Sequence, residues 1–307
     1  MKPKVLLAGG SGYIGKYLSE VIENETDVFI LSKYPHHKQQ HNKEMTWLQC
    51  DIYNYEQVVT SMKDIDIAVF YIDPTKNSAK ITQSSAKDLT LIAADNFGRA
   101  AVLNNVSKII YIPGSQYDND TIERLGAYGA IVETTKVIIK RALVNVELQV
   151  SKYDDVRSSI KVPLPKGWTL EHVVTYFVRW MDQTKGTFLK TSQNEDKVIV
   201  YIKNKFKPLA IFNKVVNADG IITLYLIGGK LMKKRSKSQG KLEFRQFQGT
   251  STIMIHLYDY IPRLFWPIYY FIQAPMQKMM IHGFEVDCRI KDFQARIKSG
   301  EKIKYTK

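Results

Sequence analysis

The sequence predicts an α/β, doubly wound parallel-sheet domain over residues 1–153 and an α+β antiparallel domain over residues 154–307. Three observations predict this. Up to about residue 150, short apolar runs alternate with stretches of helical period. A glycine cluster follows the first of those runs directly. Beyond it, strand-like runs succeed one another around hairpin signals, and helices are confined to two segments.

Lys4 to Ala8 is a short apolar run of the kind buried on both faces of a sheet. Ile14, Leu18, Val21 and Ile22 then carry a helical spacing. Further strands are predicted at 27–31, 45–48, 66–71 and 108–112, with helices at 55–62 and 84–105. A helix over 124–143 and a sixth strand over 146–150 complete the first domain. In the second, a strand at 156–162 and a helix at 169–182 precede strands at 197–203, 209–216, 221–228, 241–247 and 252–258. Asn217 to Gly220 is a hairpin signal, and a final helix is expected over 263–282.

Hydrophobic residues make up 45% of the 307, enough for two ordinary cores. The charge balance is less ordinary: 44 Lys and Arg against 30 Asp and Glu give +14, which favours anionic partners. Cys50 and Cys288 lie far apart with no CxxC, and His172, His256 and His282 have no ligand spacing, so neither a disulfide framework nor a metal site is expected. The N-terminus runs straight into a strand pattern without a signal-peptide core, and a cytoplasmic protein is expected. Ile261 to Met280 is strongly apolar, but Arg263, Lys278 and three prolines interrupt it, which argues against a spanning helix.

The glycines at 9, 12 and 15 stand between a strand and a helix, the context that a dinucleotide-binding loop requires. Gly9 suits the tight turn, Gly12 the close approach of a pyrophosphate, and Gly15 the packing of helix on strand. The helix N-terminus then offers free N–H groups and a positive dipole end to the phosphates. Ser11, Tyr13 and Ile14 complete the loop. This reads as a Rossmann-type domain for NADP(H) or NAD(H). The second strand ends in Ser32-Lys33 with no acid, and His36, His37 and Lys38 follow, which favours the 2′-phosphate of NADP. Asp73, at the tip of the fourth strand, is a candidate cleft acid or a turn cap.

The Gly-x-x-Gly-x-x-Gly spacing, the strand-end Cys50-Asp51-Ile52, the helix pair Asp95-Asn96 and the strand Ile109 to Ile112 resemble the extended and atypical short-chain dehydrogenase/reductases, an epimerase-like and NmrA-like group. The resemblance places Asp51 and Ile52 beside the adenine. It also implies a catalytic Tyr with a Lys four residues on, assisted by a Ser after the fifth strand. Tyr128 stands near the place of that Tyr and Ser115 approximately at the Ser, but position 132 is Val132, and Lys136 lies eight residues on. Tyr128 is therefore either a substrate contact or a packed aromatic. The chain is expected to be an NADP(H)-dependent oxidoreductase of atypical type, or else a non-catalytic NAD(P)H sensor or a protein that binds a lipid-like ligand or a partner.

In the second half, Gly228 to Leu231, Gly240 to Arg245 and Tyr260 to Leu264 resemble bacterial proteins that fuse an atypical dehydrogenase domain to a START-like helix-grip module. That resemblance implies a sheet wrapped around a C-terminal helix and a cavity for an apolar small molecule. Phe265, Trp266, Tyr269, Tyr270 and Phe271 are candidate cavity residues, core, or a dimer contact. Lys230, Lys233, Lys234, Arg235, Lys237 and Lys241 cluster at an expected hairpin tip, either solvated or facing anionic lipid at a peripheral membrane contact. Nucleic acid is disfavoured, because no reading helix or stacking motif accompanies the charge.

Overall fold

The computed structural model describes residues 2–9, 13–35, 45–72, 79–114, 118–136, 154–184, 188–233 and 238–301. The chain divides into two compact units, one of Met1–Ser78 and Ser85–Val150, the other of Ala79–Ser84 and Ser151–Lys307.

The first unit is built on β1 (Lys4–Leu7), whose Leu6 and Leu7 are fully buried. Parallel pairing joins it to β2 (Asp27–Ser32) on one side and β4 (Ile67–Phe70) on the other. With β3 (Met45–Gln49), β6 (Lys108–Tyr111) and β7 (Val132–Thr134), the sheet order is β3-β2-β1-β4-β6-β7. The order reverses between β1 and β4, and in such sheets ligands bind beyond the carboxyl ends of the strands at that point. Ile14, Leu18 and Ile22 of α1 (Tyr13–Ile22) pack on the sheet, as their spacing of four predicts.

Capping starts the next two helices. Asn54 accepts from the Gln57 N–H at α2 (Tyr55–Ser61), and Ser85 accepts from the Asp88 N–H at 3.0 Å at α3 (Ala86–Leu103). α3 is buried from Leu89 to Ala101, so its apolar residues run around the helix rather than along one stripe. It packs against α4 (Asp118–Gly126). At that crossing a Cβ on Gly98 would stand 2.3 Å from the Leu125 carbonyl oxygen.

One expectation changes here. Of the helix expected over 124–143, the described residues up to 136 show α4 ending at Gly126 and then the strand Val132–Thr134, paired in parallel with β6, while 137–143 lie outside the described residues. Gly129 takes a φ of +98° in the turn between them, and the β-branched Val132 and Thr134 suit a pleated edge. The strand expected at 146–150 lies outside the described residues.

The second unit carries an eight-stranded sheet in the order β5-β8-β14-β13-β12-β11-β10-β9. Its strands are β5 (Ile81–Gln83), β8 (Val156–Pro163), β9 (Leu189–Gln193), β10 (Lys197–Ile202), β11 (Ala210–Ala218), β12 (Ile221–Gly228), β13 (Lys241–Gln246) and β14 (Thr252–Tyr260). All pairings are antiparallel except β5 with β8, which is parallel. β5 lies within the stretch assigned from sequence to the first domain, yet it covers the edge of β8, where backbone N–H and C=O groups would otherwise stand open. The hairpin turn at Asn217 to Gly220 forms as its signal predicts, with Gly220 at a φ of +72°.

One face of this sheet receives α5 (Leu170–Gln183), which buries Leu170, Val173, Val174, Phe177 and Met181. Phe177 meets Phe244 of β13 and Phe284 of the last helix edge-on, with ring centroids 5.2 and 4.9 Å apart. That last helix runs through α6 (Trp266–Ile268), a π-helical turn at Tyr269–Gln273, and α7 (Ala274–Lys298), well past the expected end at residue 282. Gly283 lies within it, where a Cβ would stand 3.4 Å from the Trp180 ring. One apolar core cluster packs between the sheet and the helices, and an open groove is left where Lys161, Pro163 and Thr252 face Arg289, Asp292, Phe293 and Arg296 of α7. Of the five aromatics expected as cavity, core or a dimer contact, Tyr269 is in the core and Trp266 packs against it, while Phe265, Tyr270 and Phe271 are exposed and line no cavity among the described residues.

Gly98→Ala is expected to destabilise the first unit by about 2 kcal/mol or more, because backbone rather than a side-chain tip must yield. Urea unfolding followed by circular dichroism checks this; an unchanged midpoint would mean that α3 and α4 have room to separate.

Candidate functional site

The carboxyl ends of β1, β2, β3 and β4 gather most of the described site residues. β1 runs into Gly9, whose φ is +72° and where a Cβ would come within 2.9 Å of the Tyr71 carbonyl oxygen. A side chain at position 9 meets both a backbone penalty and a wall, so the turn needs glycine. The Ala8 N–H donates to the Val69 carbonyl at 3.0 Å, fixing the turn against β4. Gly15 is buried in the first turns of α1 and Ile14 is partly buried. Ser11, Gly12, Asp73 and Ser115 lie outside the described residues, as do His36, His37 and Lys38.

At the ends of β2 and β3, the Cys50 N–H donates to the Ser32 carbonyl at 2.9 Å. This brings Lys33 to Asp51, with Nζ 2.9 Å from Oδ2 and both side chains largely buried. Asp51 also accepts from the Tyr53 N–H at 3.1 Å. Asn96 of α3 donates to the Ile52 carbonyl at 2.8 Å, so the long helix holds the β3–α2 turn in place. Ser32, Lys33, Asp51 and Ile52 therefore form one cluster, drawn from positions that the sequence separates by up to twenty residues. Burial pushes the neighbouring Cys50 thiol up to about 12, and it stays protonated at neutral pH.

Tyr71, just after β4, has a buried hydroxyl that meets no hydrogen-bonding group among the described residues. Its ring lies 3.7 Å from the position of a Cβ on Gly9. Burial raises its ionisation above the usual tyrosine range.

Tyr128 belongs to a different constellation. Its hydroxyl donates to Asp95 Oδ1 at 2.8 Å, and its ring carries the Arg99 guanidinium 4.2 Å from the centroid. Asp95 is fully buried and pairs with Arg99 at 2.9 Å and Arg124 at 3.5 Å. Burial pushes the Tyr128 phenol up to about 12, the Asp95 charge adds to this, and Arg99 opposes it. Tyr128 and Val132 do not share a helix: the first is in the turn after α4 and the second in β7, so a spacing of four carries no helical meaning here. Sequence reasoning missed Arg99 and Arg124. The i, i+4 spacing of Asp95 and Arg99 within an apolar helix was a usable signal; nothing in the sequence marks Arg124.

Comparison with known proteins places the whole chain. It is 72% identical over 307 residues to Auxiliary protein GraX of Staphylococcus aureus (strain NCTC 8325 / PS 47), covering 100% of both chains. The chain belongs to the GraX family. Within this GraX relative, residues 5–112 match the NAD dependent epimerase/dehydratase family. Among solved structures, UDP-N-acetylglucosamine 4-epimerase from Bacillus cereus aligns at 24% identity over 37% of this chain and 36% of that one, with a TM-score of 0.30. A nucleoside-diphosphate-sugar epimerase from Staphylococcus aureus aligns at 19% identity over 44% and 49%, with a TM-score of 0.35. Each of these overlaps spans less than half of either chain.

Asp95→Asn removes the carboxylate that faces Arg99 and Arg124 in a buried setting. An expected cost of about 3 kcal/mol follows, read as a lowered urea midpoint. A variant as stable as the parent would show that the arginines are satisfied without it.

Proposed function

We propose that the first unit of this GraX relative binds a nicotinamide dinucleotide across the carboxyl ends of β1 and β4. The observation that carries the proposal is the turn at Gly9: a left-handed glycine, walled by the Tyr71 carbonyl, between a buried parallel strand and a helix N-terminus. The match of residues 5–112 to the NAD dependent epimerase/dehydratase family supports it. So does the buried Tyr71 hydroxyl, which a polar ligand group would satisfy. Gly9, Ser11, Gly12, Tyr13, Ile14 and Gly15 would hold the pyrophosphate side, Asp51 and Ile52 the adenine, and Asp73 the rim of the cleft.

Ser32 and Lys33, with no acid at the end of β2, support NADP(H) over NAD(H). The Asp51 partner offsets the Lys33 charge, so a 2′-phosphate would compete with a carboxylate already in place.

A bound nicotinamide supplies hydride exchange. The matching proton transfer asks for a phenol that ionises near the working pH. Tyr128 is held the other way, protonated and donating to the buried Asp95. This supports a protein that holds the dinucleotide as a sensor or structural ligand. The oxidoreductase reading, with Tyr128 and Ser115 at the reaction centre, is favoured by the family match alone. For the second unit, the sheet with α5 and a long C-terminal helix packed on one core cluster supports the START-like helix-grip reading.

Calorimetric titration of the full chain with NADPH and NADH tests the proposal. Lys33→Ala is expected to weaken NADPH about tenfold, the worth of one charge-assisted hydrogen bond, and to leave NADH unchanged. Equal losses for both would assign Lys33 to holding Asp51 rather than the 2′-phosphate. No binding of either dinucleotide would overturn the proposal. If NADPH turnover on a carbonyl substrate is found, Tyr128→Phe is expected to leave it intact; loss of turnover with a folded protein would restore Tyr128 to the reaction.

A further inference from the structure

The last helix leaves an apolar strip in water. Tyr269 and Ala274 are buried, while Phe265, Phe271 and Met279 are 72%, 73% and 74% exposed. Ile268, Ile272 and Met276, spaced by four, are exposed beside them. The π-helical turn shifts the phase of the helix here, so that Tyr270, Phe271 and Ile272 all face outward in succession. Proteins that remain in water seldom expose so continuous an apolar surface.

The charges carried by the strip's own segment have one sign, although Lys80, seated over Trp266, brings its partner Asp154 near the start of the strip. From Ile261 to Phe284 there is no Asp or Glu, and the charged residues Arg263 and Lys278 are both exposed. A β-bridge between Met232 and Pro262 seats the turn that carries Lys230 and Lys233 beside the start of the strip, and both lysines are exposed. The sequence from Gly229 to Leu242 is also free of acid; its Lys234, Arg235 and Lys237 lie outside the described residues. None of the helices among the described residues is long and apolar enough to cross a membrane.

We propose that this strip is a membrane-interface element for anionic lipid. The helix from Trp266 to about Met279 lies flat on the bilayer, with Phe265, Ile268, Phe271, Ile272 and Met279 sunk into the headgroup boundary and the basic residues on lipid phosphates. Charge decides for lipid over a second copy of this chain. A two-fold contact through the strip would set Arg263, Lys278 and the Lys230–Lys233 turn near their own copies, whereas an anionic surface neutralises them.

The test is co-sedimentation of the full chain with vesicles of phosphatidylcholine alone and of phosphatidylcholine mixed with phosphatidylglycerol. Binding to the mixed vesicles is expected, with neutral vesicles at least about tenfold weaker. The double substitution Phe271→Glu and Met279→Glu falls on exposed positions, so its circular dichroism and melting should match the parent while binding drops at least about tenfold. Lys230→Glu with Lys233→Glu should lower binding to the mixed vesicles alone. The proposal is overturned if the parent chain ignores the mixed vesicles, or if the Phe271 and Met279 substitutions leave binding unchanged. It is likewise overturned if light scattering shows a dimer that those substitutions dissolve while no vesicle binds, which would make the strip a contact between copies.

Discussion

A carboxylate buried beyond reach of water must be met by positive charge, and much of the first unit is arranged around that demand at Asp95. The residue sits in the middle of α3 with essentially no exposure and is met by Arg99 from its own helix and Arg124 from α4. An ion pair in such a place adds little net stability over an apolar core. What it adds is position. α4 cannot slide along α3 without parting Arg124 from Asp95, and the close approach at Gly98 allows one registry of the two helices. The turn that follows α4 inherits that registry through Tyr128. One residue further along α3, Asn96 fixes the β3–α2 turn, which presents Asp51 and Ile52. One helix thus holds a packing core on one side and, on the other, the turn proposed to face the adenine.

Periodicity made most of this fold readable. The buried parallel strands announce themselves as short apolar runs, and α1 and α5 as apolar residues three and four apart. Elements that follow weaker rules were not readable. β9 is an edge strand with one buried residue, Leu189, so its alternation carries almost no hydrophobic signal. The segment after Gly114 holds two competing patterns: Asp118 and Asp120 favour a helix start there, while the apolar Ile131 and Val132 extend the pattern past the end of α4. Local preference for strand at Val132 and Thr134 prevails because β6 offers it an edge. The far end of α7 was hidden because the apolar run ends near residue 282, while the helix continues through the mixed stretch to Lys298.

The candidate site divides along the same line. The glycine turn and the strand-end residues Ser32, Lys33, Asp51 and Ile52 follow from chain order in a doubly wound sheet, so their convergence was legible. That Lys33 is spent on Asp51 was not, because an ion pair between strand ends has no sequence spacing. Nor was the role of Tyr128, which depends on a residue 33 positions earlier. Judging it by what stands four residues on assumed a helix through 128–132, where the chain forms a turn and a strand.

The six residues Ala79–Ser84 deserve a last consequence. The chain leaves its first unit after Ser78, lends the edge strand β5 to the other sheet, and re-enters the first unit at Ser85. The two units are therefore threaded rather than strung. No single cut of the polypeptide yields both whole: a break after residue 150 strips the larger sheet of its border strand and leaves β8 with an open flank. The two halves could not have been shuffled as independent cassettes, and expressing either alone amounts to removing a piece of the other.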